Sequence, residues 1–276
     1  MSALTIAAQD SATMLWREIK HSIRLLRLLI VSAILVPVVM LLLFDYILGG
    51  TLGHGLGDVA RGAPYVDYLV PGILVMTVAG GCGPTAINVS MDMTGGFVDR
   101  IRTMSVTRGA LLAGHVGVSV LRMLVATAAV TGVALLLGFR PNASIADWFA
   151  VVGIVAAFSF ALAWLSAAIG LVTKSVAGAN GSTLPLSFLL PFLSSTFVPA
   201  DSMPAGVRWF AANQPFTAVV DSLRALLTGA PVGNSAYLAL AWCAAIALAG
   251  YLWSQAAFRP RSPMTRRIWS KGDPGS

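Results

Sequence analysis

Six stretches of this chain stay apolar for about twenty residues at a time, at approximately 28–48, 69–90, 114–138, 148–172, 181–198 and 235–258. A helix of that length rises about 1.5 Å per residue and crosses the roughly 30 Å hydrocarbon core of a bilayer. Helix is also the form such runs must take, because a bilayer offers no water to exposed backbone N–H and C=O groups. Only 11% of the 276 residues are charged against 57% that are hydrophobic, too little polar surface for a water-soluble globule. The expectation is an all-α polytopic membrane protein: a segment at 1–27, a six-helix transmembrane domain over 28–258, and a basic tail at 259–276.

Two of the six runs are irregular. The fifth is short and carries Pro185 and Pro191, and the second contains GGCGP at 80–84. Proline removes a backbone donor and kinks a helix, so both runs should pack among neighbours that re-satisfy the freed groups. No internal repeat is visible, which argues against a transporter built from two related halves.

Lysine and arginine set the orientation. Thirteen of them fall on the side that holds the N-terminus, whereas the other side keeps Arg61, Arg140, Arg208 and Arg224. Both termini are therefore expected in the cytoplasm and the chain in the plasma membrane. The net charge of +7 then sits against anionic lipid, and nucleic acid is not an expected partner.

Before the first run, Leu15, Ile19, Ile23 and Leu26 recur on one helical face and Arg17, Lys20, Arg24 and Arg27 on another, with Asp10 or Ser11 as the cap. Such a helix lies along the inner membrane surface, as an anchor or as a dock for a cytoplasmic partner. A second amphipathic stretch interrupts the apolar runs on the same side, in DMTGGFVDRIRTMSVTR at 92–108. There Phe97, Ile101 and Met104 share a face, Asp99 and Arg102 can pair at i, i+3, and Gly95-Gly96 sets the helix off from the span before it. It reads either as an ordinary basic loop or as a short helix that inserts into a groove on another protein.

Catalytic and metal chemistry find little support. Glu18 is the single glutamate, Cys82 and Cys243 fall alone in apolar runs, and His21, His54 and His115 are isolated at loops or interfaces. Arg122 lies about two turns into the third run, where its side chain is expected to snorkel toward the cytoplasmic headgroups. Lys174-Ser175 is preceded by Thr173 instead of the glycine a P-loop requires, so no ATP site of that kind is expected.

After the fifth run, Pro204 follows a capping Asp201 or Ser202, Asn213-Gln214-Pro215 restarts the chain and Gly229 ends it. The second piece presents Phe216, Val219, Val220, Leu223, Leu226 and Leu227 on one broad face, with Asp221 and Arg224 opposite at i, i+3. Neither piece is long enough to span.

The stretches GGFVDRIRTMSVTRGALLAGHV (95–116) and STFVPADSMPAGVRWFAANQPFTAVVDSLRALLTG (195–229) resemble the cytoplasmic and late extracellular motifs of ABC-2 type exporter permeases, in particular the daunorubicin-resistance group. The resemblance extends to the six spans and the interfacial N-terminal helix. It implies that the first stretch is a coupling helix docking into a separate ATPase subunit, with Phe97, Asp99, Arg100, Ile101 and Arg102 transmitting the ATP-driven movement and Glu18 on the same interface. It implies that the second stretch forms short re-entrant helices in the outer leaflet, where Pro215, Phe216, Asp221 and Arg224 make an outer gate or a structural plug. ATP and Mg would be bound by the partner ATPase, with no cofactor or metal in this chain. A second permease copy or a paralogue would complete the path for a drug or lipid. The competing classes are an ion-coupled secondary transporter, which would need titratable residues deep in the spans, and a membrane-embedded enzyme, which would need a catalytic pair at depth.

Overall fold

The computed structural model describes residues 34–44, 46, 65–94, 108–173 and 175–257, and they form helices joined by turns with no strand among them. In chain order these are α1 (Ile34–Leu43), α2 (Tyr65–Gly80), α3 (Cys82–Thr94), α4 (Arg108–Leu136), α5 (Ile145–Val172), α6 (Val176–Leu184), the three-residue α7 (Leu190–Phe192), α8 (Ala205–Asn213), α9 (Pro215–Thr228) and α10 (Ser235–Ala257). Four stretches are long and apolar enough to cross a membrane: α2 and α3 together as Tyr65–Met93, then Leu112–Leu136, Ile145–Val172 and Ser235–Ala257.

The expected second span thus begins four residues earlier than its apolar run, at Tyr65. The expected fifth span is not one continuous α-helix. From Pro185 to Leu189 the helix widens into a π turn, Pro191 opens the short α7, and by Leu193 the chain has unwound into turns. Each break falls where a proline withholds the N–H that the helix needs. Of the expected first span, α1 and residues 44 and 46 are described.

Helix α5 is the centre of the bundle, flanked by α10, α3, α4 and α9. Its start is fixed by a capping box: the Ser144 hydroxyl accepts from the Asp147 N–H at 3.3 Å, and the Asp147 carboxylate accepts from the Ser144 N–H at 2.8 Å. Two glycines let neighbouring backbones touch it. A methyl group at Gly170 would sit 2.5 Å from the Ala86 carbonyl oxygen of α3, and one at Gly250 of α10 would sit 2.7 Å from the Leu165 nitrogen of α5. Helices in a membrane gain little from hiding apolar surface, so close approach through small residues is their main source of packing energy.

The outer surface of the bundle remains apolar. Leu136, Ile145, Phe149 and Tyr237 are exposed by three-quarters or more, a surface suited to acyl chains rather than to water.

Helix α9 packs alongside α5: Phe216 at its start meets Phe158, thirteen residues into α5, and near its end the Leu227 carbonyl accepts from the Asn142 N–H at 2.9 Å, just before α5 begins. Pro215 occupies the first turn of α9, Gly229 closes it with φ 72°, and Phe216, Val219, Val220, Leu223 and Leu227 are buried beneath it. The preceding α8 differs from the sequence expectation at its cap. Asp201 and Ser202 belong to a separate 3-10 turn, Ala200–Ser202, and Pro204 stands at the N-cap without a side-chain hydrogen bond. The first intrahelical bond of α8 runs from the Arg208 N–H to the Pro204 carbonyl at 2.8 Å, and the Arg208 guanidinium ties the helix to the preceding turn by donating to the Asp201 and Met203 carbonyls at 2.7 and 3.1 Å.

Candidate functional site

A cavity of about 200 Å³ opens between α1, the junction of α2 and α3, α4 and α6. Its walls are mostly apolar, including Val36, Pro37, Met76, Leu184 and Phe188, with Arg122, Thr77, Asn180, Thr183 and Ser187 as the polar points. The junction owes its shape to Gly81. The helix breaks there for one turn, the Gly81 N–H donates to the Val78 carbonyl at 3.0 Å, and a side chain at this position would meet Met123 of α4 at 2.5 Å.

Arg122 does not behave as the sequence suggests. It is ten residues beyond Leu112, about 15 Å along a span at the usual helical rise, and its side chain turns inward instead of running to the end of the bundle. One guanidinium nitrogen donates to the Thr85 hydroxyl at 3.2 Å. That hydroxyl lies 2.7 Å from the Gly81 carbonyl and 2.9 Å from the Ser119 hydroxyl, which fixes the acceptor in place. Thr85, Ser119 and Arg122 thereby join α3 to α4 through a polar strip inside an apolar bundle.

His115 is a second correction. Expected to be isolated, it is buried in α4 and its Nε2 lies 3.0 Å from the Asp92 carboxylate of α3. The contact ties the last turn of α3 to α4 next to the segment 95–107 that connects them.

At the opposite end, a clasp forms around Arg224. Its guanidinium donates to Asp221 at 2.9 Å, to the Ser195 carbonyl at 2.9 Å and to the Tyr68 carbonyl at 3.3 Å, and it covers the Tyr68 ring at 3.8 Å from the centroid. The Ser195 hydroxyl donates to the same Asp221 oxygen at 2.8 Å, and the Tyr68 hydroxyl donates to the Ser195 carbonyl at 3.1 Å. Tyr65, one turn earlier, donates to the Phe197 carbonyl at 3.3 Å. The unwound stretch 193–198 leaves carbonyls without helical partners, and these side chains supply the donors. Gln214 adds one more, its amide nitrogen donating to the Leu193 carbonyl at 2.6 Å.

Of the four residues expected at an outer gate, the structure brings Asp221 and Arg224 into this clasp. Pro215 starts α9, and Phe216 is buried against Phe158 of α5 in an edge-to-face contact at 5.2 Å. Phe97, Asp99, Arg100, Ile101, Arg102 and Glu18 lie outside the described residues. Tyr65, Tyr68, Ser195, Thr85 and Asp92 were missed by sequence reading. A signal existed for the first two, since tyrosines at i, i+3 opening an apolar run mark an interfacial end with hydroxyls to satisfy. Among the described residues no group of three or more His, Cys, Asp and Glu side chains is arranged to hold a metal ion.

A helical bundle with an apolar exterior, several helices long enough to span and its polar groups directed inward is an integral membrane protein. By the match of residues 10–228 to the ABC-2 type transporter model, the chain belongs to that family of membrane transport subunits. It is 27% identical to the daunorubicin resistance ABC transporter permease protein DrrB1 of Streptomyces coeruleorubidus, over 82% of this chain and 78% of that one. It is 24% identical to a Mycobacterium tuberculosis protein named "Probable doxorubicin resistance ABC transporter permease protein DrrC", over 79% of this chain and 76% of that one.

Proposed function

We propose that this chain is the membrane subunit of an ATP-driven exporter that moves a hydrophobic or amphipathic compound, a drug or a lipid, out of the cytoplasm or the inner leaflet. The family match over residues 10–228 carries this reading, and the drug-resistance names of the relatives support the class of cargo. Energy comes from a separate ATPase subunit that binds ATP and Mg. It docks on Phe97, Asp99, Arg100, Ile101 and Arg102, with Glu18 of the N-terminal helix at the same interface. A second copy of the chain, or a second permease, completes the path in the plasma membrane, with both termini cytoplasmic.

In this arrangement the Asp92–His115 contact makes α3 and α4 move together when the docking segment between them is pushed. The clasp of Arg224 with Tyr68 and Ser195 faces outward and must loosen for cargo to leave, while Phe216 holds α9 to the core. The test is reconstitution of the chain with its cognate ATPase in proteoliposomes. The wild type should form a complex and stimulate ATP hydrolysis on addition of cargo, and Phe97→Ala/Arg102→Ala should abolish that stimulation. Transport that persists without any ATPase would overturn the proposal.

A further inference from the structure

We infer that the cavity around Arg122 binds the negatively charged head of an amphiphile, a carboxylate or phosphate, with the apolar tail leaving between α1 and α6.

Charge is the first argument. Arg122 forms no ion pair among the described residues: the carboxylates that do pair there are Asp92 with His115 and Asp221 with Arg224, both on other parts of the bundle. Its guanidinium carries five N–H groups and makes one hydrogen bond among the described residues, to Thr85. The other polar groups on the described wall, on Thr77, Asn180, Thr183 and Ser187, are neutral. A cation within a bilayer is costly unless something compensates it, and among the described residues no acid lines the cavity. An anion in the cavity supplies that compensation, whereas a cation meets repulsion.

Size and shape supply the second argument. A volume of about 200 Å³ is below the roughly 300 to 1,000 Å³ that pockets for whole drug-sized molecules occupy. It suits a headgroup and the first part of a chain. At the rim, Val36, Leu184 and Phe188 are each about half exposed, at 47%, 50% and 45%, and they offer the tail an apolar bed. Asn180 directs its amide oxygen toward Gly83, where an added methyl group would lie 3.4 Å away.

Identifying the bound anion as cargo rests on the exporter reading; binding itself does not. The experiment therefore omits the ATPase. Pyrenedecanoic acid and its methyl ester differ by one charge, and both report binding by energy transfer from tryptophan to pyrene. With the full chain in an uncharged detergent at pH 9, the acid should bind at least about tenfold more tightly than the ester, the scale of one charge-assisted hydrogen bond. Arg122→Gln should bind acid and ester alike, with ester affinity unchanged as the sign of an intact fold, and Arg122→Lys should keep most of the preference. Equal binding of acid and ester by the wild type overturns the inference without reference to any variant. So does a preference that survives in Arg122→Gln. Repeating the titration in nanodiscs separates the sources of the anion. If a resident phospholipid fills the site, the acid loses its advantage in discs containing phosphatidylglycerol and keeps it in pure phosphatidylcholine; if cargo fills it, the advantage persists in both. Loss of preference in a protein that still couples to its ATPase would remove the anion site and leave the exporter reading standing.

Discussion

The guanidinium of Arg224 rests on the face of the Tyr68 ring, 3.8 Å from its centroid, and donates to the backbone carbonyl of the same residue, 156 positions away in the chain. One side chain thus binds the first turn of a membrane span to the short helix α9 packed beside α5. The same guanidinium reaches Ser195 in the stretch that unwinds after α7, so three segments converge on it.

Replacing Arg224 with alanine should lower stability by about 2 kcal/mol, because hydrogen bonds to charged groups are worth roughly 1.5–3 kcal/mol and cation–π contacts add up to about 1 kcal/mol. Arg224→Lys should recover little, since an ammonium cannot reach two carbonyls and a carboxylate through a planar fork. Asp221→Asn should cost less than 1 kcal/mol, because the Asp221 side chain is 44% exposed and solvent screens the pair. Thermal melting of the purified chain in detergent checks all three, and an Asp221→Asn effect as large as that of Arg224→Ala would refute the assignment of Arg224 as the hub.

The Asp92–His115 contact predicts a different pattern. A single hydrogen bond of this kind contributes about 1 kcal/mol, so Asp92→Ala or His115→Phe should leave a folded, monodisperse protein. In the complex with its ATPase, both variants should hydrolyse ATP with weakened stimulation by cargo, since α3 and α4 would no longer move as a pair. Stimulation equal to that of the wild type in both would show that the contact has no part in coupling.

Much of the bundle was legible in the sequence, because membrane spans announce themselves through length and hydropathy alone. The prolines at 185 and 191 also marked where the fifth run would fail to stay helical, and the i, i+3 spacing of Asp221 and Arg224 marked their pairing. What escaped were the partners from distant segments. Nothing near Arg122 in the chain indicates that Thr85, 37 residues earlier, would draw it inward instead of toward the headgroups. His115 and Asp92 are 23 residues apart on different helices, beyond any local periodicity. Tyr65 lies outside its apolar run, yet its hydroxyl has a carbonyl to meet at Phe197, and the helix therefore starts earlier than hydropathy suggests.

Glycine substitutions offer a sharp contrast between two positions. Gly250→Ala should destabilise by about 1–3 kcal/mol, because the new methyl would press on the backbone of Leu165 and Trp164, which have no rotamer to yield. Gly153→Ala, within α5 and with open space around the added carbon, should be neutral or stabilising by up to about 1 kcal/mol through helix propensity. Melting temperatures measured side by side decide the matter. Equal effects would mean that α10 and α5 are not in backbone contact.

Phe216 separates packing from gating in α9. It is buried, touches Phe158 edge to face and lies under a helix held at its polar side by Arg224. Truncation to alanine removes most of a buried aromatic and leaves a cavity, at a typical cost of about 3–5 kcal/mol. Phe216→Leu keeps most of the volume and should cost less than about 1.5 kcal/mol. Arg224→Ala releases the polar side of α9 while leaving this core contact in place. If α9 acts as a gate, Arg224→Ala should therefore raise basal leak of a fluorescent amphiphile from proteoliposomes, whereas Phe216→Leu should not. Leak that tracks the loss of stability in every variant, and not the loss of the clasp, would identify α9 as a plug.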